Sequence, residues 1–266
     1  EHILYNGRVK LYMNNRHIYF VSVDGAPLHP VIGTTTVTSV LEKPALVPWA
    51  VNVTIDFLKK KTLPRKFNKL SDLQLNNLYD VARLEHRKTK EAAAYIGTQA
   101  HLWAEAYIKG EKPKRPLDKK IKLITDNFLK WLDDYKVKFL HSEKKVYSIE
   151  HDYGGTIDFE AEINGELCIG DFKTASGIYD DYRFQIAAYN QARAEETGNN
   201  YKASWIVRFA KEPLVRGVFY TPFEALYIPK EEHEKDFRGF LGALAVKKRL
   251  MELKREKDIK KLQEGL

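Results

Sequence analysis

A short segment of alternating residues carries the side chains with the most specific chemistry. Residues 154–175 read GGTIDFEAEINGELCIGDFKTA, and Asn164-Gly165 predicts a two-residue hairpin turn because both central positions of that turn need positive φ. A turn at this place fixes the strand register and sets Asp158 directly opposite Asp171. Side chains that face one another in an antiparallel pair have Cβ atoms about 5 Å apart. The sequence therefore predicts two neighbouring carboxylates.

Two carboxylates this close repel one another unless a cation lies between them or one of them holds a proton. Mg²⁺ commonly takes one or two carboxylates together with water and substrate phosphate, and Mn²⁺ accepts the same oxygen ligands. Lys173 follows Asp171 by two residues, so the period of a strand places both on one face. Two acids, a divalent cation and a lysine are the groups that phosphodiester hydrolysis needs, because they hold the metal and stabilise charge in the transition state.

A simpler interpretation of these three residues stays open. Asp158 and Asp171 would then be solvated residues at strand ends, with Lys173 paired to one of them. A turn longer than two residues would also undo the direct pairing. The combination of both acids with the lysine, after a Gly-Gly pair, favours the metal site.

The composition limits the class of protein. The chain has 266 residues, of which 44% are hydrophobic and 30% are charged, values typical of globular proteins. The formal net charge of +8 suits a polyanionic partner such as DNA, because neutralised phosphates release condensed counterions. Cys168 is the single cysteine, which excludes an intramolecular disulfide, a multi-cysteine zinc site and a cysteine-ligated iron–sulfur cluster.

The same composition bears on location. No apolar run approaches the roughly twenty residues that span a bilayer, and the first residues show no signal-peptide pattern. We therefore expect no membrane partner and a place in the cytoplasm of a bacterial or virus-infected cell. The chain starts with Glu1 instead of Met, so a removed targeting segment and a mitochondrial matrix location stay open.

Hydrophobic periodicity predicts the elements that position these residues. The first part predicts a hairpin over 3–23, a Thr-rich strand over 34–41 and two helices over 71–109. The remainder predicts a helix over 119–140 and then three strands over 143–149, 156–163 and 166–173. A helix over 180–197 and a strand over 203–209 follow. The chain ends with a strand pair over 214–220 and 225–228 and a charged helix over 230–266. This order is typical of an α/β fold with a mixed central β-sheet flanked by helices.

Three parts follow from this order. We expect a β/α extension over 1–90 packed on the core, a core over 91–229, and a long charged C-terminal helix over 230–266. Basic residues are dense in the extension, where residues 56–69 include Lys59, Lys60, Lys61, Arg65 and Lys66. This stretch is either a solvated surface or a patch that follows DNA phosphates.

Five motifs in order resemble the PD-(D/E)XK nuclease superfamily, in particular its RecB-like and viral exonuclease branch. They are His101 in GTQAHLWAEA, Glu143 in SEKKVYSI, Asp158 in GGTIDF, Asp171 with Lys173 in GDFKTA, and Gln185 with Tyr189 in QIAAYNQA. The resemblance covers residues 95–210, and the segment TTTVTSVLEKPALVPWA also looks like the opening of virus-encoded nucleases of this branch. It implies a restriction-endonuclease-like core.

The resemblance implies roles for the matching positions. Asp158 and Asp171 would bind Mg²⁺ or Mn²⁺ together with the backbone carbonyl of Phe172, and Lys173 would orient or activate the attacking water. His101 would ligate or neighbour the metal, although a satisfied helix histidine is the simpler alternative. Further along the chain, Gln185 and Tyr189 would support the site or contact DNA. Glu143 is open between helping the metal and pairing with a neighbouring lysine.

The function that follows is a metal-dependent deoxyribonuclease. The resemblance favours an exonuclease of DNA replication, repair or recombination, virus-encoded, whose partner is DNA with a free or single-stranded end. A protein partner is left open. Two alternatives also stay open: a structure-specific endonuclease, and a nucleic-acid-binding module without catalysis.

Overall fold

A computed structural model describes residues 1–15, 17–63, 70–212 and 221–264. Contacts between Cα atoms group the chain into two units, one formed by 1–41 together with 101–266 and the other by 42–100. The smaller unit contains helix α2 (Leu46–Thr62) and most of helix α3 (Asp72–Ile108). No helix among the described residues is long and apolar enough to cross a membrane.

The larger unit is built on one mixed sheet. Its strands within the described residues are β1 (His2–Leu4), β2 (Val9–Met13), β3 (Tyr19–Val23), β4 (His29–Gly33), β5 (Lys138–Ser148), β6 (Tyr153–Ile163), β7 (Glu166–Lys173), β8 (Ala203–Phe209) and β9 (Phe223–Pro229). They lie in the order β1-β2-β3-β4-β6-β7-β8-β9, with β5 paired to β6. The β4–β6 and β7–β8 pairs are parallel and the others antiparallel.

Helices cover both faces of this sheet. They are α1 (Thr34–Thr38), α4 (Lys119–Tyr135), α5 (Asp180–Thr197) and α6 (Lys230–Glu264), with the end of α3. On one face, α5 and α6 enclose an apolar cluster that contains Ile169, Ile186 and Phe240. On the other face, Trp131 of α4 packs against Phe159 and Phe172. The predicted α/β class with a mixed central sheet, flanking helices and a long C-terminal helix is therefore confirmed.

The predicted hairpin is confirmed in detail. Asn164 and Gly165 have φ values of 52° and 82°, and the register begins with Ile163 opposite Glu166. It continues without a shift to Phe159 opposite Gly170. The next pair in this register is Asp158 and Asp171.

The sheet opens beside this pair. Strand β5 pairs along one edge of β6, so β4 and β7 share the other edge. There, β4 pairs with residues 153–154 and β7 with residues 159–163. Residues 155–158 therefore lie in a gap between two partner strands, which leaves backbone and side chains free to form a site.

The Thr-rich segment over 34–41 was predicted as a strand, and this prediction is wrong. The strand is His29–Gly33, and Thr34–Thr38 forms the short helix α1. Hydroxyl groups satisfy the exposed carbonyls of this turn, because Thr38 Oγ1 donates to the carbonyl of Thr35 at 3.3 Å. Burial of Thr34 and Val37 against the sheet outweighs the strand propensity of β-branched residues.

Two helix boundaries also differ from prediction. The region expected as two helices over 71–109 forms one helix, Asp72–Ile108, and its start is capped reciprocally by Ser71 and Gln74. The helix expected over 119–140 ends at Tyr135, where Lys136 has a left-handed φ of 50°. Strand β5 then starts at Lys138, so Glu143 lies inside a strand instead of at its beginning.

The predicted division at residue 90 does not match the contacts. Residues 1–41 belong with the core because β4 pairs directly with β6, whereas 42–100 form a unit of their own. The C-terminal helix shares the core as well, since Phe240 and Leu244 are buried against α5. The strand expected over 214–220 lies outside the described residues. The strand expected over 225–228 is present as β9, with the wider bounds Phe223–Pro229.

Candidate active site

Asp158 lies in the sheet gap and bridges two neighbours. Its Oδ2 accepts a hydrogen bond from the backbone N–H of Phe172 at 2.7 Å, so the side chain replaces a backbone partner where the ladder ends. The same oxygen lies 3.5 Å from Nδ1 of His101, which projects from the end of α3. The resemblance had linked His101 to the site, and the fold brings it there.

Asp171 and Lys173 form an ion pair on the neighbouring strand. Asp171 is only 4% exposed, which excludes the alternative of a solvated strand-end residue. The Lys173 ammonium also donates to Gln185 Oε1 at 3.3 Å, and Gln185 Nε2 donates to the Tyr189 hydroxyl at 2.7 Å. A chain of polar contacts thus runs from α5 to the lysine.

Burial decides between the two roles expected for the residues on α5. Gln185 and Tyr189 are 6% and 4% exposed, so neither presents a surface to a macromolecule. Tyr189 also packs against β6, where a Cβ added to Gly155 would lie 2.4 Å from its Cε1. This close approach explains why position 155 of the strand is glycine, and it favours a supporting role for both side chains.

The charges in this site act on one another. Burial would lower the pKa of His101, but the carboxylates of Asp158 and Asp171 outweigh it and raise that pKa to about 9. Burial would likewise raise the pKa of Asp158, and the charges of His101 and Lys173 bring it below its usual value. Burial raises the pKa of Asp171 to about 6, against the opposing effect of Lys173. The buried pair of acids therefore needs positive charge beside it.

The donor set fits a divalent cation. Ligand atoms of His101, Glu143 and Asp158 all lie within 4.8 Å of one another. Asp171 lies outside this closest group, and its buried Oδ2 is paired with the Lys173 ammonium. Carboxylate oxygens and an imidazole nitrogen at this spacing are ligands that a divalent cation accepts.

Glu143 combines the two roles that its sequence left open. Its Oε2 lies 3.6 Å from Lys145 Nζ, so it does pair with a neighbouring lysine. It also belongs to the close group with His101 and Asp158, because the β5–β6 register brings it opposite Asp158. Its φ of 51° inside a strand is a left-handed conformation that costs energy for a residue other than glycine. Burial and the charge of Asp158 raise the pKa of Glu143.

Two residues of the site went unnoticed in the sequence. The ring of Tyr182 lies under the Lys173 ammonium, with Nζ 4.7 Å from the ring centroid. Thr34 of α1 is buried beside Gly155 and Tyr189. Helical spacing could have indicated Tyr182, which precedes Gln185 by one turn on the same face. No local signal connects Thr34 with the hairpin.

The remaining predicted residues are Phe172, three lysines of the smaller unit and two residues outside the described ranges. The ring of Phe172 packs in the aromatic cluster. The role of its carbonyl as a metal ligand stays a prediction. Lys59, Lys60 and Lys61 form the last turn of α2 in the smaller unit. Arg65 and Lys66 lie outside the described residues.

Comparison with known proteins assigns no family. No family model and no curated protein matches the sequence. Among solved structures, an alkaline exonuclease (LHK-Exo) from Laribacter hongkongensis has 12% identity and a TM-score of 0.31, over 51% of this chain and 72% of that one. A protein named SSO0001 has 12% identity and a TM-score of 0.36, over 74% of this chain and 85% of that one. Similarity at this level identifies no function, which depends on the geometry of the site.

Proposed function

We propose that this protein is a metal-dependent deoxyribonuclease that hydrolyses DNA phosphodiester bonds. The observation that carries the proposal is the meeting of His101, Glu143, Asp158, Asp171 and Lys173 from four different elements. Three acids brought together beside a lysine cost electrostatic free energy. We therefore infer that the acids bind a cation and that the lysine contacts an anion. DNA phosphate supplies the anion.

Mg²⁺ or Mn²⁺ is the proposed cofactor. His101, Asp158 and Asp171 would hold it, with the Phe172 carbonyl as the further ligand that the resemblance implies and Glu143 added from the geometry. When bound, such a cation polarises the scissile phosphate and lowers the pKa of water enough for attack at neutral pH.

Lys173 is the proposed catalytic residue. The contacts with Asp171 and Gln185 fix its ammonium, and the ring of Tyr182 lies beneath it. From there it can donate a hydrogen bond to a phosphate oxygen while water forms the new bond to phosphorus and loses a proton to solvent. The bond from phosphorus to the leaving deoxyribose oxygen breaks, and that oxygen takes a proton from solvent. Gln185 and Tyr189 act through the lysine as positioning residues.

The finer assignment follows the sequence resemblance. An exonuclease of replication, repair or recombination, virus-encoded and acting on a free or single-stranded end, is the form we propose. Lys59, Lys60, Lys61, Arg65 and Lys66 are the proposed phosphate contacts, and we place the reaction in the cytoplasm. The net charge of +8 favours a polymeric anion over a free nucleotide.

The test is a cleavage assay on end-labelled single-stranded DNA, linear duplex and covalently closed circles, with Mg²⁺, Mn²⁺ or EDTA. Lys173→Met retains the aliphatic chain and removes the ammonium, whereas Lys138→Met removes an exposed lysine elsewhere on the sheet. Loss of one preorganised donor lowers cleavage rates by about 10²–10³-fold. We expect that loss for Lys173→Met, unchanged DNA binding, and full activity of Lys138→Met.

Each outcome of the assay has a distinct meaning. Metal-dependent loss of linear DNA alone supports an exonuclease, whereas cutting of the circle makes the protein an endonuclease. DNA binding without cutting in any metal would replace the proposal with a binding module. Full activity of Lys173→Met, in a preparation that EDTA inhibits, would move catalysis away from this site.

A further inference from the structure

A second group of metal-ligating side chains lies outside the candidate active site. Glu150 and His151 occupy the turn between β5 and β6, and Glu195 projects from α5. One ligand atom from each of the three lies within 4.8 Å of the others. Glu195 follows Gln185 by ten residues, which is about 15 Å along a helix. The two groups are therefore separate.

Glu195 is fixed in place by neutral donors. Its Oε1 accepts hydrogen bonds from Ser148 Oγ at 2.8 Å and from Gln191 Nε2 at 3.3 Å. Its Oε2 accepts from the Tyr5 hydroxyl at 3.3 Å. Donors of this kind orient a metal-binding carboxylate and select its position.

The charge of Glu195 lacks a cationic partner. Among the described residues, no lysine or arginine lies within ion-pair distance of it. Lys248 reaches the turn, where it donates to the His151 carbonyl at 3.1 Å. A half-buried carboxylate without a counterion favours the approach of a cation.

The imidazole of His151 is fixed as well. Its ring stacks on Tyr153 with centroids 6.4 Å apart and meets the edge of Phe237 at 5.2 Å. Nε2 lies 3.7 Å from Glu150 Oε1. One imidazole and two carboxylates suit Zn²⁺, whose four-coordinate sites often take three protein ligands and one water. Mg²⁺ fits less well, because it prefers six oxygen ligands.

We propose that Glu150, His151 and Glu195 bind a Zn²⁺ ion that fastens the β5–β6 turn to α5. Both Glu195 and the turn are already oriented, so the ion needs little rearrangement. Tyr5, in the N-terminal segment, shares its single hydroxyl proton between this carboxylate and the Tyr147 carbonyl of β5 at 2.8 Å. The ion would therefore stabilise the joint between the N-terminal strands and the core.

Zinc binding to the whole chain tests this proposal. Equilibrium dialysis measures bound Zn²⁺ for the wild type, His151→Phe, Glu150→Gln and Asp158→Asn, and thermal unfolding is followed with and without Zn²⁺. His151→Phe keeps a ring against Tyr153 and Phe237 and removes the nitrogens. Glu150→Gln changes an exposed side chain, so it should not disturb packing. His141→Phe, on the exposed face of β5, is the control.

We expect His151→Phe to lose one bound ion and the corresponding rise in melting temperature. Glu150→Gln should weaken binding at least about tenfold, since even outer-shell changes cost 10–100-fold. Asp158→Asn and His141→Phe should keep this ion. An unchanged ion count in His151→Phe would overturn the proposal, and so would loss of the only bound ion in Asp158→Asn. DNA cleavage by His151→Phe should be normal, so this result is independent of the nuclease assignment.

Discussion

Gly155→Ala tests whether packing behind the site controls catalysis. An added Cβ would lie 2.4 Å from Tyr189 Cε1, 3.0 Å from its Cδ1 and 3.1 Å from Thr34 Oγ1. The first distance is shorter than any real contact between such atoms, so the buried tyrosine ring must move. Overpacking of this kind costs about 1–3 kcal/mol. The free energy of unfolding should fall by that amount.

The same movement should reach the lysine. The Tyr189 hydroxyl accepts from Gln185 at 2.7 Å, and Gln185 accepts from Lys173 at 3.3 Å. A displaced ring therefore loosens the contact that fixes the ammonium. A misplacement of 1 Å can cost about 10²-fold in rate. We expect Gly155→Ala to lower the cleavage rate by up to that factor at temperatures where the protein is folded.

The preceding residue provides a matched control. A Cβ on Gly154 would meet the Val146 carbonyl at 3.5 Å and the Tyr19 ring at 3.6 Å, which are ordinary contacts. Gly154→Ala should leave stability unchanged or raise it by about 0.4–1 kcal/mol, because alanine restricts the unfolded chain. Tyr189→Phe keeps the ring and removes the hydroxyl, so it isolates the polar chain from the packing.

Urea unfolding and the rate of cleavage of linear DNA are the two measurements. If Gly155→Ala is as stable and as active as Gly154→Ala, the tyrosine ring does not fix the site. If Gly155→Ala is destabilised but cuts at the normal rate, the ring has a packing role without a link to the lysine.

Three further predictions concern binding and stability. Asp171→Asn should weaken Mg²⁺ or Mn²⁺ binding measured by calorimetry, and unchanged affinity would remove Asp171 from the ligand set. Arg193→Met should lower the free energy of unfolding in urea by about 3–5 kcal/mol, because it leaves the buried Glu160 without its cation. Arg193 Nη2 and Nε now donate to Glu160 Oε2 at 3.0 Å and 3.2 Å. A cost similar to that of the exposed Arg249→Met would contradict this. DNA affinity should fall steeply as salt rises, whereas a flat response would count against phosphate contacts.

Several elements could be predicted from the sequence because their signals are local. The Asn164-Gly165 turn fixes the hairpin register through the backbone of two residues, and Gly198 ends α5 in a left-handed conformation. Lys173 shares a face with Asp171 for the same reason, since two residues of spacing on one strand decide it. The strand Ala203–Phe209 was also predicted with its observed bounds.

Other elements depended on contacts that the local sequence does not contain. The Thr-rich segment became helical because Thr34 and Val37 are buried beneath α5 and α6. Residues 1–41 joined the core because β4 pairs with a strand more than one hundred residues away. Strand propensity and hydrophobic period describe a segment but do not name its partner.

The candidate site shows the same division. The sequence alone determined the acid pair and the lysine, because a turn and a two-residue period place them. Tertiary structure decided what surrounds them: His101 and Glu143 reach Asp158 through the packing of α3 and β5, and Tyr182 reaches Lys173 through the packing of α5. Periodicity specifies which face of an element is apolar, but only the folded chain determines which faces meet.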